Sequence, residues 1–158
     1  MDSKRKLKVA IIGTNGIPAK YGGFETLVEY LTLHLSTKFG LYVYCSKTPK
    51  EKRLKEYNGS KLIYLPFKAN MFQSIIFDYI SFIHATFYAD IILILGCSGS
   101  TILPIKFLLK KRKLVLNLGV LDWQRSKWNL FIRKFLKFSE RLAIKFSDII
   151  ISDNTKIA

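Results

Sequence analysis

The chain of 158 residues is 49% apolar, which is enough to bury one hydrophobic core and predicts a single domain. Lys and Arg number 26 against 11 acidic residues, and the net charge of +15 favours an anionic partner: nucleic acid, a phosphorylated substrate or an anionic membrane surface. The two cysteines, Cys45 and Cys97, have neither CxxC nor paired-histidine spacing, which argues against a zinc site or a disulfide scaffold and indicates a reduced, cytosolic compartment.

Short apolar runs alternate with longer amphipathic segments along the chain. In chain order, we expect a strand at 8–13, a helix at 24–39, strands at 41–45 and 61–65, a helix at 71–88, a strand at 90–95, a helix at 101–111, a strand at 113–117, a basic helix at about 127–146 and a strand at 148–152. Nearly all-apolar strands that alternate with helices indicate a parallel sheet covered on both faces. The sequence therefore predicts an α/β fold, a Rossmann-like doubly wound parallel sheet with helices on both faces.

The segment 72–95 is the one stretch that could be mistaken for a membrane span. It contains Asp78, His84 and Asp90 at intervals, and charged side chains at such depths are costly in hydrocarbon. A helix followed by a buried strand is therefore expected. The run VAII near the amino terminus is too short for the core of a signal peptide, so no export signal is expected.

The stretch GTNGIPAKYGGFET, residues 13–26, packs four glycines between the first strand and the first helix. It lacks the GxGxxG spacing of a dinucleotide fingerprint and the GK[ST] of a P-loop. Gly22 and Gly23 stand immediately before the helix, where free backbone N–H groups attract phosphate and missing side chains let a ligand approach. The alternative is a tight loop whose glycines supply positive φ angles.

The later loops contain further polar candidates with two interpretations each. Ser98 and Ser100 follow a strand, where they could hydrogen-bond sugar hydroxyls or cap the next helix.

His34 and His84 lie inside predicted helices with no second ligand or nucleophile nearby, so both are expected to be structural.

The motif GTNGIPAKYGGFET resembles the amino-terminal signature of bacterial glycosyltransferases with the two-domain B-type fold, many of them rhamnosyltransferases of capsular, exopolysaccharide or O-antigen synthesis. The similarity covers nearly the whole chain. It continues through YC at 44–45, LIYLP at 62–66, FDYISFIHA at 77–85, ILILG at 92–96, DWQRSKW at 122–128, SERLAIKFSD at 139–148 and ISDNTKIA at 151–158.

The resemblance implies that residues 1–158 form the amino-terminal, acceptor-side half of such an enzyme and that the nucleotide-sugar half is absent from this chain. The donor diphosphate would lie between the two halves, against the glycine-rich loop, and its sugar would pass with retention to a lipid-linked saccharide. The resemblance implies no metal and no cofactor. The isolated half is expected to be inactive, because the donor contacts lie mainly in the other half.

The chain departs from the family at three points. Asn15 stands where members often have Arg, and Gly119 and Val120 stand where members have an Asp-Gly pair. Asp122 occupies the position of a family Glu before Trp, which leaves a shorter carboxylate there. Asp122 is therefore only a weak catalytic candidate, and the catalytic residue is otherwise unassigned.

Arg125 and Lys127 could meet an acceptor phosphate, because guanidinium and ammonium groups suit phosphate oxygens. The alternative is that Trp123 and Trp128 cap the core while Arg125 faces water. Together these considerations predict twelve substrate-binding residues: Gly13, Thr14, Gly16, Tyr21, Gly22, Gly23, Glu25, Ser98, Asn117, Trp123, Arg125 and Lys127.

The positive charge is concentrated in residues 106–145, where 12 Lys and Arg face two acidic residues. In the last predicted helix an apolar stripe of Phe131, Ile132, Phe135, Leu136 and Leu142 should pack on the sheet, while Arg133, Lys134, Lys137 and Arg141 point outward. Such a helix suits attachment to the anionic inner face of a cell membrane. A solvated basic face, a non-catalytic binding module and a nucleic-acid-binding protein remain alternatives, although no nucleic-acid-binding motif is present.

Overall fold

The computed structural model describes residues 5–20, 22–67, 71–108, 112–119, 122–124 and 128–152. The strands are β1 (Lys8–Ile12), β2 (Gly40–Cys45), β3 (Glu56–Tyr57), β4 (Ser60–Tyr64), β5 (Ile91–Leu95), β6 (Lys113–Leu118) and β7 (Ile149–Ser152). The α-helices are α1 (Gly23–Leu35), α2 (Met71–Thr86) and α3 (Leu130–Phe146). Three 3₁₀ helices span Lys50–Lys52, Ser100–Leu108 and Asp122–Gln124.

The described strands form one seven-stranded sheet in the order β3-β4-β2-β1-β5-β6-β7. All neighbouring strands run parallel except β3, which pairs antiparallel with β4. The predicted Rossmann-like fold is thus confirmed, with one addition. The β3–β4 hairpin turns at Asn58 and Gly59, which have φ values of 47° and 69°, as a two-residue hairpin turn requires.

The hydrophobic core lies on both faces of the sheet, because alternate residues of each strand point to opposite faces. On one face, Ala10 and Ile12 of β1 belong to a cluster that includes Phe77 of α2. On the other face, Ile11 packs in a cluster with Val28 of α1. The central strand is therefore held between α1 and α2, and its carboxyl end is fixed relative to both helices.

Two predicted helices differ from those observed. The helix expected at 101–111 is a 3₁₀ helix over Ser100–Leu108 with Pro104 inside it, consistent with the missing N–H donor of proline. The last helix starts at Leu130 rather than near 127. Asn129 is its N-cap, and the Asn129 side chain accepts a 2.9 Å hydrogen bond from the Ile132 N–H.

The expected apolar stripe of α3 is partly wrong. Phe131 is 80% exposed, whereas Leu136, Ser139 and Ala143 form the buried face of the helix. Arg133 is only partly exposed rather than fully outward. The buried residues recur every three to four positions, so the helix packs through small residues and one leucine and leaves Phe131 and Phe138 exposed.

Strand β1 is the point at which the strand order reverses. Its neighbours are β2 on one side and β5 on the other. The chain adds β2 and β4 on one side of β1, and then returns to add β5, β6 and β7 on the other side. In doubly wound sheets, ligands bind in the crevice outside the carboxyl ends of the strands at this switch point. The loops after β1 and β5 border that crevice here.

Candidate functional site

A cavity of about 180 Å³ lies at the switch point, between the carboxyl ends of β1 and β5. We call it the switch-point cavity. The loops after the two strands supply most of its wall, and the first turn of α1 and one side of α2 supply the rest. Its lining consists of Gly13, Thr14, Asn15, Phe24, Ser74, Asp78, Leu95, Gly96 and Ser98.

Two of the loop glycines are required by the packing of the chain itself. Gly13 has φ +93°, and a Cβ atom there would collide with the carbonyl oxygen of Leu95. Gly16 has φ +111°, and a Cβ atom there would lie 2.6 Å from the Cys45 sulfur. Both positions combine a left-handed backbone with close approach, so their glycines are explained without a ligand.

The pair at the start of α1 divides into one structural and one unexplained glycine. Gly22 has φ +103°, and a Cβ atom there would collide with the Glu25 carboxylate. Gly23 has no positive φ, and no described atom lies within 4 Å of the position that its Cβ would take. Folding therefore requires glycine at Gly22, whereas at Gly23 the space is open to something outside the described chain.

Two carboxylates of α1, those of Glu25 and Glu29, accept hydrogen bonds from the glycine loop. Glu25 is buried, and its Oε1 atom accepts hydrogen bonds from the backbone N–H and the side-chain amide of Asn15, at 2.9 and 3.0 Å. Glu29 accepts a hydrogen bond from the Ala19 N–H at 3.2 Å and another from the Tyr57 hydroxyl at 2.5 Å. These bonds give Glu25 a loop-positioning role, and its predicted contact with substrate stays a prediction.

Because Gly22 has no side chain, the N-cap position of α1 supplies no side-chain hydrogen bond to the first turn. The α1 helix has 13 residues, so aligned peptide dipoles give its start a partial positive charge. Thr14, also predicted to bind substrate, is 2% exposed and accepts a 3.2 Å hydrogen bond from the Gly16 N–H. Thr14 therefore shapes the turn, while the start of α1 is suited to an anion.

Asp78 of α2 is the one ionisable side chain in the described lining of the cavity. Its Oδ2 atom accepts a 2.8 Å hydrogen bond from the Ser98 hydroxyl. Burial raises the pKa of Asp78 to about 7, although the Ser98 hydrogen bond acts in the opposite direction. Gly99 permits this approach, because a Cβ atom at Gly99 would collide with the Asp78 side chain.

A second, much smaller cavity of about 10 Å³ shares Asp78 and Gly96 with the lining of the switch-point cavity. Its wall includes Gly99 and Ser100, and the Ser100 hydroxyl is buried without a hydrogen-bond partner among the described residues. The volume is about that of a single water site. Asp78 thus contributes to the walls of a water-sized space and of a larger one.

The remaining predicted site residues lie elsewhere or outside the described residues. Asn117 is buried in β6, where its main-chain carbonyl accepts a 3.0 Å hydrogen bond from the Gly96 N–H.

Trp123 contacts two residues of α3. Its indole N–H donates a 3.1 Å hydrogen bond to Glu140, and the Lys137 ammonium lies 4.9 Å from the Trp123 ring centroid. These contacts favour the interpretation that Trp123 packs on α3. Tyr21, Arg125, Lys127 and the Asp122 side chain lie outside what the structure describes.

The His84 ring lies next to the buried Tyr44 and the half-buried Tyr88. Its Nδ1 atom lies 2.7 Å from the Tyr44 hydroxyl, and the Tyr88 hydroxyl donates a 3.2 Å hydrogen bond to Tyr44. This arrangement is consistent with the structural role expected for His84. In the described ranges, no group of three His, Cys, Asp or Glu side chains could hold a metal ion.

A separate surface, which we call the α3 face, combines exposed apolar and cationic side chains. Leu130 is 76% exposed, Phe131 80%, Phe138 55% and Ile144 44%. The exposed cations on the same side of the helix are Lys134, Lys137, Arg141 and Lys145. Among the described residues, no helix is both long and apolar enough to cross a membrane.

The sequence interpretation missed Asp78, Ser74, Asn15 and Phe24 as cavity residues. A signal for Asp78 was present, because it is the one acidic side chain in the mainly apolar helix α2. Burying a carboxylate costs free energy unless the group is paired and hydrogen-bonded.

The family model described as Domain of unknown function (DUF1972) matches residues 6–158. No curated protein sequence matches the chain. A solved structure of sucrose-phosphate synthase from Thermosynechococcus elongatus has a similar fold, with a TM-score of 0.66 and 15% sequence identity over 92% of this chain. The chain spans 42% of the length of that structure. Likeness at this identity shows the shared fold alone.

Proposed function

The chain belongs to the DUF1972 family, and from that premise we propose that residues 1–158 are the acceptor-side domain of a glycosyltransferase of cell-surface polysaccharide synthesis. The donor would be a nucleotide sugar held largely by a second domain, and the acceptor a lipid-linked saccharide. A rhamnosyl or related hexosyl group would be transferred with retention. The fold that this chain shares with part of a sucrose-phosphate synthase supports a role in glycosyl transfer.

The observation that carries this proposal is the open space at Gly23, which is followed directly by Phe24 of the switch-point cavity. Backbone N–H groups at the start of α1 can donate to an anion in that space, because Gly23 has no side chain to obstruct it. During transfer, the anomeric carbon exchanges its bond to a diphosphate oxygen for a bond to an acceptor hydroxyl oxygen, and the hydroxyl proton passes to the departing diphosphate. The leaving diphosphate gains negative charge, which the amino end of α1 stabilises. The adjoining cavity holds the acceptor.

The α3 face supports the second part of the proposal, attachment to the cytoplasmic face of the cell membrane. Each basic residue near an anionic surface contributes about 1 kcal/mol. The exposed phenylalanines add apolar contact at the interfacial level, where aromatic rings are favoured. A protein attached in this way would reach a lipid-linked acceptor while the lipid of the acceptor stays in the membrane.

The test compares substitutions at the two adjacent glycines in the protein that includes the sugar-nucleotide domain. Gly23→Val should abolish transfer and leave the melting temperature nearly unchanged, because its Cβ meets open space and its backbone is not strained. Gly22→Ala should instead destabilise the domain by about 1 kcal/mol or more, because φ is +103° there.

Gly23→Ala is the milder variant at the same position and should reduce transfer less than Gly23→Val. Full activity of Gly23→Val would contradict the proposal. Loss of activity in proportion to loss of folded protein would reduce the loop to a structural element, and the site assignment would then be wrong.

A further inference from the structure

Asp78 stands out as a partly buried carboxyl group that has no cationic partner among the described residues. The Ser98 hydroxyl donates a hydrogen bond to it, and no cation contributes to the shift of its pKa. By contrast, Asp90, which directly precedes β5 at the amino end of the strand, has Arg5 and the Lys8 N–H as partners. A desolvated carboxyl with so little compensation is unfavourable for folding.

We propose that Asp78 binds a hydroxyl group of the acceptor sugar in the switch-point cavity, and so selects acceptors that present a hydroxyl donor at that position. This inference rests on the proposed function for its choice of ligand. The placement of the carboxyl rests on the structure: Asp78 and its partner Ser98 both line the cavity, beside Gly13 and Thr14 at the end of β1.

The chemistry of the carboxylate restricts what it can hold. An ionised carboxylate only accepts hydrogen bonds, with about four lone-pair sites, and Ser98 occupies one of them. Its ligand must therefore supply a donor, which sugar hydroxyls do and phosphate oxygens at neutral pH largely do not. A cavity of about 180 Å³ is smaller than the roughly 300 Å³ of the smallest drug-sized pockets, so it suits one sugar unit.

Among the described residues that line the two cavities, Asp78 is the ionisable side chain. Glu25 of α1 is the acidic residue linked to the cavity wall, and its Oε1 atom is occupied by Asn15. Tyr79, the next residue of α2, hydrogen-bonds with Thr101. A pH effect on sugar binding would thus report on Asp78 itself.

Ligand binding and ionisation of Asp78 are then linked. Burial holds its pKa near 7, so about half of the carboxyl groups are protonated at neutral pH when the cavity is empty. Hydroxyl donors stabilise the charged form, so binding lowers the pKa of Asp78. Equally, the affinity for the sugar increases as the pH rises through the free-state pKa.

The experiment follows the carboxyl carbon signals of the 158-residue chain by NMR with ¹³C-labelled aspartate. The probes are methyl α-L-rhamnoside and methyl α-D-glucoside. Saturating sugar should lower the pKa of Asp78, and the Kd should fall about tenfold between pH 6 and pH 8, because the ionised fraction rises by that factor. The signals of Asp90 and Asp148, which already have cationic partners, serve as internal controls and should not move.

Asp78→Asn keeps the shape of the side chain and removes the titration. This variant should bind the sugar more weakly and with no pH dependence, while its fold remains intact. An Asp78 pKa unmoved by either sugar at saturation, or equal sugar affinity and pH dependence in the variant, would overturn the inference. Transfer by the protein that includes the sugar-nucleotide domain, together with an unmoved Asp78 pKa, would refute only the role of Asp78. A sugar-linked pKa without transfer by that two-domain protein would refute only the proposed function.

Discussion

Replacing Asp78 with asparagine should stabilise the protein at alkaline pH and not at acidic pH. In the folded chain the pKa of Asp78 is about 7, whereas its ordinary value is 3.8. The unfolded chain therefore loses the proton first as the pH rises, and the folded state binds more protons across this range. Folding stability then decreases between about pH 4 and pH 7. Asparagine removes this dependence because it stays neutral.

The size of the effect follows from the two pKa values. The difference between 3.8 and about 7, at about 1.4 kcal/mol for each pH unit, gives at most about 4 kcal/mol at pH 8. The cavity beside Asp78 admits water, so the measured value should fall below this limit. For a domain of this length, 1 kcal/mol corresponds to a change of about 2–4 °C in melting temperature, so about 4 kcal/mol sets an upper limit of about 8–16 °C on the gain.

Thermal unfolding of the wild type and of Asp78→Asn at pH 4 and pH 8 measures the effect. Asp90→Asn is the matched control of opposite sign, because the Lys8 N–H and Arg5 lower the pKa of Asp90. That substitution should destabilise the protein above pH 4, and the loss should disappear as the pH falls. A variant of Asp78 that is no more stable than wild type at pH 8 would refute the assignment of a desolvated, uncompensated carboxyl.

The remaining predictions concern activity and membrane attachment. The isolated 158-residue chain should neither transfer sugar nor bind a nucleotide sugar tightly, and turnover by this chain alone would refute the expected division of labour between two domains. The chain should co-sediment with anionic vesicles at low salt and be released as salt screens the α3 face. The double substitution Lys134→Gln and Arg141→Gln should weaken that binding about 30-fold, from about 1 kcal/mol for each charge, whereas Lys50→Gln with Lys52→Gln removes the same charge elsewhere and should have little effect. Equal binding to neutral vesicles would indicate apolar insertion instead.

The fold could be predicted from the sequence because its strands are short, apolar and separated by amphipathic helices. The local sequence pattern did not predict features that depend on tertiary packing or on turn geometry. The β3 strand has two residues, too few for a periodic signal, although Asn58-Gly59 is a typical hairpin turn. On α3, Phe131 fits the apolar periodicity but lies outside the contact, because Leu136 and the small residues Ser139 and Ala143 face the core.

The candidate site could be predicted at the level of the loop and not of its individual residues. The glycine pair was correctly placed at the start of a helix. The sequence alone cannot show that the backbone conformation requires glycine at Gly22 and does not require it at Gly23. Asp78 was missed because its role depends on Ser98, 20 residues away, and on its position in a cavity wall shared with the loops after β1 and β5. Such relations arise only when the sheet brings the ends of β1 and β5 together.

The carboxylate of Glu29 joins two parts of the molecule that the topology keeps apart. One of its oxygens accepts from Ala19 in the glycine loop and the other from Tyr57 in the edge hairpin. The hairpin therefore stabilises the position of the glycine loop through Glu29, although the two segments do not adjoin in sequence. A natural variant that shortens the hairpin loses the Tyr57 donor, so we expect changes in the hairpin and in the glycine loop to occur together in evolution.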